Sequence, residues 1–249
     1  MVRRDDLASF LDQTLNVAAI RDYCPNGLQV EGKSDIHCIV TGVTASLALI
    51  NAAIASDADA LLVHHGLFWR DEDPCIVGPR RERIRRLLKH DLNLFAYHLP
   101  LDLHEQMGNN AMLGEKLGLQ VQGRFGENHL GWLGTSGPVN TVGGLANLVE
   151  ERLGRKPLVI GDTAQAIATV AWCSGAAQGM LPLAARAGAH AYLSGEIAER
   201  TVHEAREYEV AYLSCGHHAT ERYGIEALGN WLSRCFALEH RFIEIDNPV

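Results

Sequence analysis

The feature that most constrains this chain is an alternation, made twice, of short apolar runs with amphipathic stretches of helical length. In the first half, residues 36–43, 60–64 and 92–98 are apolar and β-branched runs of strand length. Between them, residues 46–56 and 80–90 carry apolar side chains at intervals of three and four, the spacing of one helix face. The order is βαβαβ. The second half repeats it, with strands over 167–173, 189–193 and 210–214 and helices over 179–187 and 199–208. A long helix from about 218 to 234 and a strand over 239–245 complete the chain. The pattern predicts an α/β fold of two similar halves, each with a mainly parallel sheet covered by helices. Such sheets place their working residues at strand C-terminal ends.

Residues 43–66 and 173–196 can be laid side by side without gaps, which suggests an old duplication. The segment 120–157 is punctuated by Gly123, Gly126, Gly131, Gly134, Gly137, Pro138, Gly143 and Gly144 and reads as turns and short pieces. The domain boundary is placed there, giving halves 1–125 and 126–249.

Composition narrows the function classes. With 22 Lys plus Arg against 30 Asp plus Glu, the net charge is −8, which argues against nucleic acid as a partner. A hydrophobic fraction of 47% supplies a globular core, and no apolar run reaches the roughly 20 residues that cross a bilayer. The start, MVRRDDLASFLDQ, is charged where a secretory segment would be apolar, so a cytoplasmic protein is expected. The six cysteines form no Cys-x-x-Cys pair, which argues against a thiolate zinc site or a disulfide frame. Cys38 and Cys173, inside apolar runs, read as small core residues. Cys215 stands out only by lying two residues before His217.

Twelve histidines are the compositional surprise, and they gather at strand exits. Val63-His64-His65-Gly66 ends the second strand run; adjacent imidazoles there splay apart and suit two neighbouring metal ions, or they simply cap the strand. Tyr97-His98-Leu99-Pro100-Leu101-Asp102 ends the third. Pro100 should keep Leu99 extended and stiffen the loop, holding Asp102 as a ligand or as the opening residue of a loop or helix. Gly108-Asn109-Asn110 looks like a helix start. In Ser214-Cys215-Gly216-His217-His218-Ala219-Thr220-Glu221, His217 and Glu221 are four apart and share one helix face, where the carboxylate could bridge two metals or merely offset the helix dipole.

Chance would not favour strand exits three times, so a metal site is expected. Imidazole and carboxylate donors without thiolate suit zinc, iron, manganese or nickel equally. Two dications with open positions acidify water, which makes hydrolysis the natural reaction class.

Tyr23-Cys24-Pro25-Asn26-Gly27-Leu28-Gln29-Val30, together with these three stretches and Gly216-His217-His218-Ala219-Thr220-Glu221-Arg222, resembles the Nif-three-like dinuclear metal-centre family. Its members are also named GTP cyclohydrolase 1 type 2 homologues, and the bacterial YbgI-like branch is the most similar; the resemblance covers nearly the whole chain. It implies two divalent metal ions per chain, lying between the two halves and held by His64, His65, Asp102, His217 and Glu221, with Glu221 as the bridge. It also implies a toroidal homohexamer built as a trimer of dimers, with GTP ring opening as the family activity. Tyr223-Gly224 departs from the Gly-Gly of similar members and adds bulk beyond Glu221, which would narrow a pocket there.

Remaining candidates carry less. His98 fits a further ligand, a supporting donor or a proton shuttle, and Glu196, at the matching strand exit of the second half, fits a general acid or base or a helix-entry carboxylate. His90, His129 and His240 read as surface residues, and Asn26-Gly27 as a tight turn only. Gly143-Gly144 lacks the pattern of a phosphate loop. The leading function is a metal-dependent hydrolase of a nucleotide-like or phosphate-bearing small molecule. The alternative is a non-catalytic metal-binding or partner-binding assembly. A DNA-processing ring would need Arg80, Arg81, Arg83, Arg85 and Arg86 to line an opening, whereas such a run is usually a solvated helix face.

Overall fold

The computed structural model describes all residues from Met1 to Val249. In chain order its elements are β1 (Val2–Arg3), α1 (Arg4–Thr14), β2 (Gly27–Val30), β3 (Asp35–Ile36), β4 (Cys38–Thr44), α2 (Leu47–Ala55), β5 (Ala60–His65), α3 (Gly78–Lys89), β6 (Asn93–Ala96) and α4 (Leu99–Leu103). There follow α5 (Asn109–Leu117), β7 (Gln120–Phe125), β8 (Gly131–Thr135), α6 (Val142–Leu153), β9 (Leu158–Ile160), β10 (Val170–Trp172), α7 (Leu181–Arg186), β11 (Ala191–Ser194), α8 (Glu199–Glu207), β12 (Ala211–Ser214), α9 (His217–Phe236) and β13 (Glu239–Phe242). No helix is long and apolar enough to cross a membrane.

Two compact units result. The first comprises Met1–Gly108 with Ile225–Asp246, and the second Asn109–Gly224 with Asn247–Val249. Glycine and proline punctuation puts a break at 125/126, whereas the compact units change at Gly108/Asn109 and again at Gly224/Ile225. The second change has a clear cause. Ile225, Leu228, Leu232 and Leu238 are buried in a core with Leu7, Leu11, Ile39 and Phe95, and β13 pairs parallel with β4. Hydrophobic periodicity locates a strand but not the sheet it joins.

The first unit holds a five-stranded sheet in the order β13-β4-β5-β6-β2, parallel except for β2, which runs antiparallel to β6. Side chains alternate across it as the strand repeat of two requires. Ala60, Leu62 and Phe95 face the core that α1 and the C-terminal part of α9 cover. Leu61, Val63, Leu94 and Ala96 face the other, lined by Leu49, Ile50 and Ala53 of α2 and Ile84 and Leu87 of α3. In α3, Arg85 and Arg86 pair with Glu82, and Arg80 lies over the Phe68 ring and donates to the Leu67 carbonyl. The arginine run is thus partly paired within the unit.

The second unit holds a six-stranded sheet, β7-β8-β10-β11-β12-β9, in which β10, β11 and β12 are parallel and the flanking pairings antiparallel. Val170, Trp172, Ala191, Leu193 and Leu213 pack with α5 and α6; Ala171, Tyr192 and Tyr212 pack with α7 and α8. The glycine-rich segment read as turns contains β7, β8 and α6. There the glycines permit close strand approach: a Cβ on Gly131 would lie 2.5 Å from the Phe125 ring, and one on Gly134 would lie 2.1 Å from the Gln120 carbonyl.

Cys38 and Cys173 are buried, as expected of core residues. Leu228→Ala should cost about 2–5 kcal/mol in urea unfolding, the usual range for emptying a buried leucine site. A loss under about 1 kcal/mol would show that α9 does not anchor the first unit's core.

Candidate metal centre

In the first unit, His64 and His65 are the last residues of β5. Alternation would send them to opposite faces, yet their rings lie 4.6 Å apart, tilted by 44°. Each is tethered to a different neighbouring strand. His64 Nδ1 donates to the Tyr97 carbonyl just beyond β6 at 2.9 Å, and His65 Nδ1 meets the Thr44 hydroxyl at the end of β4 at 3.1 Å. A carbonyl only accepts, so the first bond fixes the proton of His64 on Nδ1 and makes Nε2 the nitrogen that could hold an ion. Nε2 of His64 lies 3.6 Å from Asp102 Oδ1, and both side chains are almost fully buried.

His98 follows β6 and closes the group. Its ring centroid is 5.0 Å from that of His64 and 5.7 Å from that of His65, and nitrogens of the three rings approach within 4.8 Å of one another. The residues that hold it come from far earlier in the chain. Asp22 accepts from His98 Nδ1 at 2.9 Å, from the Leu99 amide at 2.9 Å and from the Asn26 side chain at 2.9 Å; Asn26 Oδ1 accepts the His98 amide at 2.7 Å. Burial works against the Asp22 charge, but the hydrogen bond and charge of His98, with the Asn26 and Tyr23 donors, hold its carboxyl at about 2. Asp22 therefore also caps α4 from outside. Leu99 is the first residue of that helix rather than an extended one, because a proline is tolerated in a first turn whose amides have no helical partner.

Asn26 is accordingly more than part of a turn. Gln29 adds a further brace, accepting the Leu67 amide at 2.8 Å, and its amide occupies space that Gly66 leaves open, 2.2 Å from where a Cβ would stand. Cys24 lies within ligand reach of Asp22 and His98. Burial, with the charges of Asp22 and Asp102, pushes its thiol up to about 12, which disfavours the thiolate a metal would need.

In the second unit, a serine and a glycine lie at or just beyond the end of each parallel strand: Ser174 and Gly175 after β10, Ser194 and Gly195 at β11, and Ser214 and Gly216 at β12. Gly195 donates to the Gly175 carbonyl at 2.8 Å, and Gly216 to the Gly195 carbonyl at 2.9 Å. α9 opens there with His217, and Glu221 one turn on brings Oε2 to 3.0 Å from His217 Nε2. Glu196, at the β11 exit, accepts from His217 Nδ1 at 2.7 Å. Burial would lower the His217 pKa, but Glu221 and Glu196 outweigh it and hold it at about 9, a preference for positive charge that a cation at Nε2 would satisfy in the proton's place. Gly175, at φ 66°, leaves room for the buried Glu221, since a Cβ there would lie 2.1 Å from Oε1.

Cys215 is buried, and burial pushes its thiol up to about 12 despite the opposing charge of Arg155. Tyr223 packs at the edge of the core under α5 and α6, with Lys116 and Arg222 near its ring. Gly224 is required by Asn109, whose Oδ1 would lie 2.3 Å from an added Cβ. His240 is not a plain surface residue: Nε2 is 2.8 Å from the Thr41 hydroxyl and Nδ1 3.0 Å from Asn230 Oδ1.

Fold and donor chemistry define a two-unit α/β protein with imidazole and carboxylate clusters, fit for divalent metal, at the ends of parallel strands. The chain belongs to the Duf34/NIF3 (NGG1p interacting factor 3) family, which it matches over residues 2–248. It is 49% identical over 241 residues to a GTP cyclohydrolase 1 type 2 homolog of Pseudomonas aeruginosa, covering 96% of this chain and 95% of the relative. It is 52% identical over 248 residues to the protein of that name in Vibrio cholerae, covering 98% of each. The solved structure of the protein ybgI, of unknown function, superposes with a TM-score of 0.96 at 47% identity, covering 100% of both chains.

The carboxylate on Nδ1 of His217 should matter to metal affinity. Glu196→Ala is expected to weaken zinc binding about 10- to 100-fold in a chelator competition, with the circular dichroism spectrum unchanged. Unaltered affinity would mean that Glu196 does not orient a ligand.

Proposed function

We propose that the chain is a dinuclear metal-dependent hydrolase acting on a nucleotide-like or phosphate-bearing small molecule, with His64, His65, Asp102, His217 and Glu221 serving one pair of ions. The observation that supports this reading best is the tethering of Nδ1 in His64 and His217, which turns Nε2 of each toward the other candidate donors of its unit. The absence of thiolate among these donors leaves zinc, iron, manganese or nickel as the ions. Two such cations supply Lewis acidity, acidifying water and offsetting charge that develops on a substrate oxygen.

The chain's own side chains divide the remaining work. Glu221 would help hold the ions, and Gly175 leaves the space its carboxylate occupies. Asp22 keeps the proton of His98 on Nδ1, so Nε2 of His98 is the atom that accepts or returns a proton to the substrate. Glu196 orients His217 from the far side of its ring, a role that its contact supports better than acid or base catalysis. The resemblance that suggests the ligand set also implies a homohexamer, a trimer of dimers.

Elemental analysis of protein purified without added metal is expected to give two divalent ions per chain, and metal-loaded protein to turn over GTP or a phosphoester. His64→Ala and Glu221→Gln should each lose at least one ion and the turnover. Full metal content without turnover across a broad substrate panel would favour a non-catalytic metal-binding assembly; metal-free protein under all loading conditions would end the proposal. Sedimentation analysis should find six chains, in both wild type and Glu221→Gln, and a monomer would contradict the assembly.

A further inference from the structure

Thr220 stands between the two donors that open α9. His217, Thr220 and Glu221 lie at spacings of three and four residues, so they share one face of the helix. Thr220 is buried, and its hydroxyl is used twice: it accepts the Gly175 amide at 3.0 Å and donates to the His217 carbonyl at 2.9 Å. The second bond is the local one that a helical threonine commonly makes to its own preceding turn. The first reaches across from the exit of β10, and nothing in helix geometry calls for it.

Gly175 is the residue against which both donors rest. A Cβ there would lie 2.1 Å from Glu221 Oε1 and 3.2 Å from His217 Nε2. Its carbonyl accepts from the Gly195 amide at 2.8 Å and from the Ser194 hydroxyl at 3.1 Å, and the Thr220 hydroxyl completes the hold at its N–H. Both donors occupy the first turn of α9, where helix amides lack partners within the helix and the backbone is least constrained. With a methyl group in place of the hydroxyl, the buried Gly175 amide has no acceptor, so the bend must shift to find one. That shift moves the wall beside His217 Nε2 and Glu221 Oε1.

We propose that Thr220 is a positioning residue whose hydroxyl latches the first turn of α9 to the Gly175 bend, and so sets where His217 Nε2 and the Glu221 carboxylate stand. The latch rests on the hydrogen-bond geometry alone; its service to a bound ion rests on the metal-centre reading.

The test titrates cobalt(II), whose visible absorption reports the geometry of its ligands, into the whole chain, with chelator competition for affinity. Amide hydrogen exchange at Gly175 is followed on the same proteins without metal. Thr220→Val keeps the shape and removes the hydroxyl; it is expected to bind cobalt about tenfold more weakly, with an altered visible spectrum and faster exchange at Gly175. Thr220→Ser keeps the hydroxyl and should return all three readings to near wild type, which a role in packing alone would not give. Thr220→Ala repeats the comparison in case the added methyl of Thr220→Val disturbs folding. Wild-type affinity and spectrum in Thr220→Val and Thr220→Ala, or Thr220→Ser as impaired as Thr220→Val, would overturn the inference. Failure of the metal-centre reading looks different: wild type takes up no cobalt, which removes the ligand role together with the metal centre. Uptake by wild type that is indifferent to loss of the hydroxyl removes the positioning role alone.

Discussion

Parallel pairing of β4, β5 and β6, and of β10, β11 and β12, sets three strand C-terminal ends side by side within each unit, and the candidate donors lie at or just beyond those ends. A strand end offers carbonyls and hydroxyls that the sheet no longer uses. The Tyr97 carbonyl and the Thr44 hydroxyl are of this kind, and they hold Nδ1 of His64 and His65. Ring orientation is thereby decided by the sheet, so the donors are placed before any ion is present. Such preorganisation limits the ordering cost of metal binding.

The two units repeat this device with different chemistry. His98 follows the third parallel strand of the first unit and His217 the third of the second, and each has Nδ1 held by a carboxylate, Asp22 or Glu196. The carboxylates come from unrelated places in the two units: Asp22 precedes β2, whereas Glu196 follows β11. Corresponding strand exits have thus arrived at the same anchored imidazole by separate routes. The burial differs as well, with the Asp22 side chain 2% exposed and that of Glu196 35%. Burial and four donors make Asp22 a structural anchor for α4 as well as for His98, while Glu196 stays within reach of solvent.

Much of this architecture could be read from residue patterns. The parallel strands and their helices were located within a few residues because hydrophobic alternation and helical spacing are local properties. Elements whose stability comes from tertiary approach were not. β7 has an exposed, polar strand pattern, and β8 depends on glycines that admit Phe125 and the Gln120 backbone. β2, four partly buried residues, is likewise unmarked by any local pattern. Asp22 and Asn26 act on His98 and Leu99 more than 70 residues away, and no local spacing announces such contacts. The donors themselves were conspicuous as types, but the role of Glu196 was not, since a strand-exit carboxylate serves acid catalysis, capping and ligand orientation equally well on paper.

The central claim is that donors far apart in sequence serve one pair of cations. Anomalous diffraction from crystals grown with manganese or zinc tests it most directly. Two peaks about 3.5 Å apart, flanked by His64, His65, Asp102, His217 and Glu221, are the result this account requires. No peak at these residues under saturating metal would contradict it.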